Sequence, residues 1–526
     1  PHEHSEATLP ELLITQEEVE HEISTLKSNS SAGLDGLHPR LLKYCSAAIS
    51  YPLCLIYNST LRESILPTEW TSSRIVPIFK KGTRTDPLNY RPVALTSVPC
   101  KVMEKVIASK LRLYLEDNNL ICNQQFGFRS QHSTADQLIL TYDYITKSLD
   151  AGKMVDLIFF DYAKAFDLVN HEIILQKLQH IGVNRQLRGW IAQFLIGRRM
   201  CVGIQGAASE WCAVASGVPQ GSVLGPLLFL IYVNHTVYNM ESEVGIFADD
   251  TKLYIANSPH SATFGVRALQ QDMNSLVSTS SSWGLKMNTT KCTCLRFGPR
   301  TLPNCSRGDS PYNIEGQIVQ FSESHSDLGI IVDRNLKFHQ HIRAVANSCN
   351  AISTNLFSSV LCRDENFIME VFTTLIRPKM EYGSTVWSLG YLGDLRTLER
   401  VQRRWTKRIN GLENLPYSDR LLHLNLFSVQ GRLLRADMIC TWKIFSRMCA
   451  ISPEQIFTRD LSTSRGHSRK LFLPRTNKDI RKRFFSIRVI HPWNSLSEEA
   501  VSASSLTQFK FFLHRDLGQR LYEYVD

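Results

Sequence analysis

Three acidic residues end short apolar runs in this 526-residue chain. Asp161 directly follows residues 156–160, which predict a strand, and Asp249 and Asp250 follow the mostly apolar residues 244–248. Acids drawn together from such strand ends need compensating charge, and Mg²⁺ binds hard oxygen ligands through a few carboxylates and substrate phosphates. Two such ions can hold the attacking and leaving oxygens of a phosphoryl transfer. An Asp-Asp pair is also ordinary turn chemistry, so the acids alone leave both interpretations open.

The order of the predicted elements favours an α+β core. Residues 15–18 (TQEE) have the spacing of a capping box, which predicts that the first helix starts there and runs over 16–27. Strands and helices then alternate without the regular spacing of a doubly wound sheet, and the chain from Asn335 onward is predicted to be almost wholly helical. Further predicted elements are strands at 74–79, 156–160, 200–204, 211–215, 244–247 and 252–255, and helices at 102–115 and 221–234.

Composition excludes several classes of protein. Hydrophobic residues make up 43% and charged residues 21% of the chain, as in ordinary globular proteins, so wholesale disorder and a fibrous rod are excluded. Thirteen scattered cysteines indicate a reducing compartment, and Cys292 and Cys294 are predicted to be strand positions rather than zinc ligands. The longest apolar run, residues 223–233, is too short to span a bilayer, and no secretory leader is visible. A chain that starts at Pro1 is predicted to be a fragment.

Six motifs follow one another along the chain around these acids. They are NYRP at 89–92, QFGFR at 125–129 with Ser133-Thr134, FDYAKAFDLV at 160–169, SGVPQGSVLGP at 216–226, FADD at 247–250 and GLKMNTTK at 284–291. In order and spacing they resemble the finger and palm motifs of reverse transcriptases. More narrowly, they resemble those of non-LTR (LINE-type) retrotransposons in the jockey and chicken-repeat group.

The resemblance implies a right-hand polymerase fold, with fingers, an α+β palm and a thumb. The predicted domains are a helical N-terminal extension (1–70), fingers (71–155), a palm with finger insertions (156–334), a helical thumb (335–450) and a basic C-terminal region (451–526). The implied reaction is RNA-directed synthesis of DNA from deoxynucleoside triphosphates on a primer 3′-hydroxyl.

The resemblance also assigns roles to residues of the reaction centre. Asp161, Asp249 and Asp250 take the metal positions, for two Mg²⁺ ions, with Mn²⁺ as the alternative ion. Lys291 stands where the family carries a cation near the leaving pyrophosphate, and it is a candidate general acid.

A second group of residues is expected to bind the nucleotide. Phe166 occupies the position of a steric gate, whose ring would collide with a ribose 2′-hydroxyl and so select deoxyribose. Gln220 and Gly221 fit the loop that packs against the nucleotide, where the lack of a Cβ allows close backbone approach. The cations expected to hold the triphosphate are Lys80 or Lys81, Arg91 and Arg129.

The net charge of +10 is concentrated in two segments. Residues 396–408 carry +5 and residues 465–488 carry +8, so the rest of the chain is close to −3. Interleaved aromatic residues suit phosphate contact with base stacking, although an amphipathic helix with a solvated basic face explains the same pattern, and both can hold. The candidate nucleic-acid-binding residues are Arg403, Arg404, Lys407, Arg408, Arg481, Lys482 and Arg483.

The sequence therefore predicts a retrotransposon reverse transcriptase with RNA template, DNA primer and deoxynucleotides as partners, and no membrane. An endonuclease is expected on a missing N-terminal part, and the location is expected to be nuclear and cytoplasmic, in a ribonucleoprotein. The alternative is a decayed or co-opted copy that only binds nucleic acid. Two departures from the family pattern, His235 and Gln131, bear on activity without touching the acids.

Overall fold

A computed structural model describes residues 7–258, 262–298, 310–460 and 466–526 of the chain. The described residues form two compact units, each built from three stretches of sequence. The first unit takes the described residues of Pro1–Phe128, Phe160–Thr251 and Gln271–Lys291, and the second takes those of Arg129–Phe159, Lys252–Gln270 and Cys292–Asp526. The division into five domains remains a prediction.

Helices make up most of the regular structure. Up to residue 282 they are α1 (Gln16–Ser24), α2 (Pro39–Tyr44), α3 (Ser46–Glu63), α4 (Thr68–Thr71), α5 (Val98–Asp117), α6 (Thr134–Asp150), α7 (His171–His180), α8 (Arg185–Leu195), α9 (Leu224–Val233) and α10 (Ala262–Ser282). Beyond it they are α11 (His339–Ser359), α12 (Glu365–Val371), α13 (Arg377–Glu381), α14 (Ser384–Trp387), α15 (Leu392–Thr406), α16 (Tyr417–His423), α17 (Val429–Phe445), α18 (Pro453–Ile456), α19 (Asp479–Arg483), α20 (Phe485–Arg488), α21 (Ile490–Asn494), α22 (Glu498–Val501) and α23 (Leu506–Leu517).

The strands are shorter and lie before residue 334. They are β1 (Ser72–Phe79), β2 (Tyr90–Leu95), β3 (Met154–Phe160), β4 (Arg199–Ile204), β5 (Ala207–Ala208), β6 (Cys212–Ala213), β7 (Glu243–Phe247), β8 (Asp250–Asn257), β9 (Thr293–Phe297), β10 (Asn313–Ile314), β11 (Gln317–Ile318), β12 (Gln320–Phe321), β13 (Ser324–Asp327) and β14 (Ile330–Asp333). The mixture of helices and sheets confirms the predicted α+β class.

Helix α1 begins where the capping box predicted. Thr15 accepts a hydrogen bond from the Glu18 backbone N–H, and the Glu18 carboxylate accepts one from the Thr15 N–H. Val19 and Ile23 are buried. The helix ends at Ser24, three residues before the predicted end, and Thr25 caps it.

The first unit contains a sheet that carries the predicted finger cations. Strand β1 pairs antiparallel with β2, so that Ile78 lies opposite Arg91, and its other edge pairs in parallel with β4. Strands β5 and β6 extend the far side of β4 in antiparallel pairs. Lys80 follows the end of β1, and its N–H donates to the Asn89 carbonyl at 2.8 Å. The sheet therefore places Arg91 on β2 and Lys80 directly after the neighbouring strand β1.

The second unit is built on a sheet with β3 at its centre and on the helices from α11 onward. Strands β12, β9, β3 and β8 lie in that order, with β3 antiparallel to β9. Every residue of β3 is buried, including Asp156. Its carboxylate accepts two hydrogen bonds from Arg296, at 2.6 and 2.7 Å, and one from the Tyr312 hydroxyl at 2.6 Å.

The regular elements described after Asn335 are helical, as predicted. Their shared core includes several fully buried aromatic side chains, namely Trp387, Trp405, Trp442, Trp493, Phe485 and Phe509. No helix in the described ranges is long and apolar enough to cross a bilayer.

Candidate active site

Asp161 stands directly after β3 and is held by the segment that precedes Lys291. Its backbone carbonyl accepts the Asn288 N–H at 2.7 Å, and the Ala163 N–H donates to the Lys286 carbonyl at 2.9 Å. The Lys291 ammonium lies 2.9 Å from the Asp161 carboxylate, and the two side chains are 64% and 37% exposed. An ion pair this exposed adds little to stability, so it can be exchanged for other partners at low cost. The structure thus brings two predicted catalytic residues together.

Asp249 lies at the turn between β7 and β8. The preceding residue, Ala248, is buried with φ +59°, a left-handed conformation that is rare for a residue with a Cβ. Burial raises the pKa of Asp249, the negative charge of Asp161 raises it further, and the positive charges of Arg91 and Lys80 oppose both effects. The predicted cations Lys80 and Arg91 and the predicted metal ligands Asp161 and Asp249 therefore share one electrostatic environment.

The two aspartates are a suitable ligand set for a divalent ion. Among the described residues, no three His, Cys, Asp or Glu side chains form a cluster able to hold a metal. Mg²⁺ is usually held by one or two carboxylates, with water and substrate phosphates completing its shell. Asp161 and Asp249 fit that requirement, and the Lys291 ammonium already shows that a cation can be bound there. Asp250, the exposed first residue of β8, stays a predicted ligand.

Phe166 is packed between other aromatic rings. It lies in a short 3₁₀ turn, Ala165–Asp167, and stacks on Phe229 with ring centroids 4.1 Å apart and planes at 18°. Phe128 meets the same ring edge-on, at 6.3 Å and 85°. A ring held from two directions has little rotamer freedom, as a steric gate requires.

The loop that contains Gln220 is tied to the turn that contains Phe166. The Val218 N–H donates to the Phe166 carbonyl at 2.9 Å, and the Gln220 side-chain amide donates to the Asp167 carboxylate at 2.8 Å. Asp167 was not singled out in the sequence analysis, although it stands in the same motif as Asp161. Its role is to join the two motifs.

Gly221 joins the same loop to strand β2. The Ala94 N–H donates to the Gln220 carbonyl at 2.7 Å, and Gly221 has φ +118°. A Cβ at Gly221 would lie 2.6 Å from the Ala94 carbonyl oxygen, so only glycine allows this approach. The predicted nucleotide loop and the strand that carries Arg91 are therefore held together.

Glu104 is a buried residue that sequence reasoning missed. One of its carboxylate oxygens accepts the N–H groups of Val223 and Leu224, at 2.7 and 3.0 Å, and so caps α9 directly after the Gln220 loop. Burial raises the pKa of Glu104, and these two backbone donors oppose the rise. The available signal was its helical spacing from Cys100, Ile107, Ala108 and Leu111, which puts an acid on the apolar face of α5.

Lys81 and Arg129 are the other two predicted nucleotide-binding cations. Lys81 is exposed and follows Lys80 in the turn after β1. Arg129 is half-buried and is the first residue of the second unit. Their contact with a triphosphate stays a prediction.

The first basic segment has the predicted two-sided character. On α15, Val401 and Trp405 are buried, whereas Arg404 is exposed. The two basic residues that follow the helix, Lys407 and Arg408, are also exposed. Arg403 is partly used within the fold, since it lies 4.8 Å from the Tyr417 ring centroid and 2.8 Å from the Asp526 carboxylate.

The second basic segment requires a correction. Arg481 is only 5% exposed, and its guanidinium lies 2.6 Å from the Asp143 carboxylate and 3.1 Å from the Thr146 hydroxyl. Its charge is neutralised inside the second unit, so the residue is not presented to a nucleic acid. Arg483 pairs with Asp479 at 2.8 Å and keeps a partly exposed side chain, and Lys482 is exposed.

Comparison with known proteins matches residues 78–332 to the family "Reverse transcriptase (RNA-dependent DNA polymerase)". The chain is 29% identical over 446 residues to a probable RNA-directed DNA polymerase from transposon BS of Drosophila melanogaster, covering 81% of this chain and 48% of the relative. It is 29% identical over 418 residues to the polymerase from the mobile element jockey of the same species, covering 77% and 44%. A probable RNA-directed DNA polymerase from transposon X-element of Drosophila melanogaster is 27% identical over 409 residues, covering 75% of this chain and 44% of the relative. The chain spans about half the length of these relatives.

Proposed function

We propose that this chain, which carries a reverse transcriptase domain and is related to the RNA-directed DNA polymerases of non-LTR retrotransposons, copies an RNA template into DNA. The domain match implies a palm-type polymerase fold. We assign fingers to the sheet of β1 and β2 and a thumb to the helices from α11 onward. The observation that carries the proposal is the ion pair of Lys291 with Asp161, together with the electrostatic interaction of Asp249 with Asp161, Lys80 and Arg91.

In the proposed reaction the primer 3′-hydroxyl loses its proton to water and its oxygen attacks the α-phosphorus of a deoxynucleoside triphosphate. The bond between the α-phosphorus and the oxygen bridging it to the β-phosphorus breaks, and pyrophosphate leaves. Lys80 and Arg91 bind the triphosphate oxygens as a point charge and a planar fork. Lys291 supplies a proton to the departing pyrophosphate once it is released from Asp161. Phe166 excludes a ribose 2′-hydroxyl.

Asp161 and Asp249 would hold the divalent ion, proposed to be Mg²⁺ with Mn²⁺ as a substitute. A bound ion would neutralise charge on the reacting phosphate and favour ionisation of the primer hydroxyl. The proposed partners are RNA template, DNA primer and deoxynucleotides. From the resemblance we also propose that the intact polypeptide carries an endonuclease and acts as a ribonucleoprotein in nucleus and cytoplasm.

Primer extension on poly(rA)/oligo(dT) with Mg²⁺ tests the proposal. We expect wild type to incorporate dTTP and Asp249→Asn to fall to about a thousandth of that rate or lower, because the variant loses a carboxylate of the ion site. Asp117→Asn, the same change at an exposed acid ending α5, is the matched control and keeps wild-type activity. Tight template binding without incorporation by wild type would favour a nucleic-acid-binding protein that has lost its activity.

A further inference from the structure

The segment 124–127 runs beside the strand that leads to Asp249. The Ile246 N–H donates to the Gln124 carbonyl at 2.9 Å, and the Phe126 N–H donates to the Ile246 carbonyl at 2.8 Å. The two segments thus form a short parallel bridge between Gln125 and Ile246. The bridge ends two residues before Ala248, where the backbone turns towards Asp249.

The side chain of Gln125 reaches the turn itself. Its carbonyl oxygen, Oε1, accepts the Ala248 N–H at 3.0 Å and the Gly127 N–H at 2.7 Å. Gln125 is 1% exposed and Ala248 is 6% exposed, so water does not compete for these donors. Ala248 has the left-handed φ described above, a conformation that persists only where the surroundings hold it. The amide oxygen of Gln125 is therefore a fixed restraint on this turn.

Gly127 makes the restraint possible. A Cβ at Gly127 would lie 2.5 Å from the Ala248 nitrogen and 3.1 Å from the Gln125 Oε1. No other residue could stand there without moving the turn or the amide. The backbone at Gly127 therefore packs directly against the turn at Ala248, the residue that precedes Asp249.

We propose that Gln125 is a positioning residue for Asp249. Its Oε1 fixes the Ala248 turn and thereby sets the distance and direction at which the Asp249 carboxylate meets Asp161. A neutral acceptor suits this place, because another carboxylate would add negative charge beside two acids. The inference rests on the proposed function only for its kinetic readout, since ion binding by the two aspartates can be measured separately.

The test is Gln125→Met, which keeps the length of the side chain and removes the acceptor. Mn²⁺ binding to the full chain without nucleic acid is measured by electron paramagnetic resonance. Primer extension then gives kcat and the KM for dTTP. We expect Mn²⁺ affinity and kcat each to fall by about 10- to 100-fold, the usual cost of removing a group that orients a metal ligand, while the KM for dTTP stays within about twofold.

Gln186→Met is the matched control. The Gln186 side chain also accepts a backbone N–H, that of Leu12 at 2.9 Å, in the same unit and away from the acids. We expect this variant to lower the melting temperature and to leave Mn²⁺ affinity and kcat unchanged. Equal ion binding by wild type and folded Gln125→Met would overturn the proposal, as would a loss of ion binding in Gln186→Met.

Gly127→Ala decides the matter if Gln125→Met does not fold, as judged by circular dichroism. It keeps the amide but forces the turn to move, so we expect the same loss of Mn²⁺ affinity, and wild-type affinity would contradict the proposal. If wild type binds Mn²⁺, Asp249→Asn does not, and neither polymerises, the proposed function fails while the positioning role stands. A wild-type chain that binds no Mn²⁺ would overturn the positioning role, whereas the proposed function would still be decided by primer extension.

Discussion

Asp156 and Asp161 stand five residues apart, within and just after one strand, and their partners differ completely. Asp156 belongs to the second unit, is fully buried, and receives three fixed hydrogen bonds from Arg296 and Tyr312. Asp161 belongs to the first unit and is partly exposed, and among the described residues its carboxylate pairs with the exposed side chain of Lys291. The first acid is saturated by rigid donors, whereas the second keeps a partner that a ligand can displace. This difference in saturation, more than burial or strand position, separates a structural acid from a candidate catalytic one.

Removing the partner of the saturated acid should give the largest effect. We expect Arg296→Met to reduce the free energy of unfolding by about 3–5 kcal/mol, because it leaves Asp156 buried and unpaired. Activity per folded molecule should not change. Urea unfolding measures the loss, and Arg483→Met, which breaks the exposed pair with Asp479, should cost less than about 1 kcal/mol. Similar losses of unfolding free energy in both variants would contradict the distinction between a buried, fully hydrogen-bonded acid and an exposed ion pair.

For Lys291, the exchangeable partner of Asp161, we expect a large loss of activity and little loss of stability. Lys291→Met should lower kcat by about 10²-fold, through loss of a general acid, and change the free energy of unfolding by less than about 1 kcal/mol. Single-nucleotide incorporation and urea unfolding measure the two quantities. Lys110→Met removes another half-exposed lysine pair, with Glu18, and should change neither rate nor stability appreciably. A stability loss at Lys291 comparable to that at Arg296 would show that its pair with Asp161 is structural.

The smallest effect concerns pH and stability. Burial raises the pKa of Asp249, so the unfolded chain releases that proton at lower pH than the folded chain does. Ionising Asp249 therefore costs stability as pH rises above the ordinary aspartate pKa of about 3.9. Without divalent ions, Asp249→Asn should melt at the same temperature as wild type below that pH and at a higher temperature at pH 7.

Thermal melts at both pH values check this expectation, and adding Mg²⁺ at pH 7 should stabilise wild type alone. A variant that melts below wild type at pH 7 in the absence of Mg²⁺ would mean that Asp249 is stabilised by fixed partners, as Asp156 is.

Much of the site was predictable because its signals are local. The capping box at Thr15, the buried strand before Asp161 and the hairpin around Asp249 all follow from short-range patterns, and the structure contains each of them. The resemblance placed both Lys291 and Asp161 in the reaction centre, and the two side chains are 2.9 Å apart.

The rest depends on partners that are distant in sequence. Arg481 stands in a basic run that predicts a solvated surface, yet Asp143, which lies more than three hundred residues earlier, pairs with it inside the second unit. Glu104 and Gln125 act on backbone groups that lie over a hundred residues away, so the local sequence does not show which groups they contact. Even the early end of α1 at Ser24 depends on how the following chain turns.

The interleaved composition of the two units bears on how the chain is made by the ribosome. The Asn288 N–H, which fixes the Asp161 backbone, belongs to the last stretch of the first unit, and the second unit continues to Asp526. Neither unit can complete its hydrophobic core until its last stretch of sequence has been synthesised. Until then, much of the chain keeps apolar surface exposed to solvent. Folding should be slow and governed by non-local contacts. Fragments that stop before Lys291 would lack a formed reaction centre, whatever their motifs.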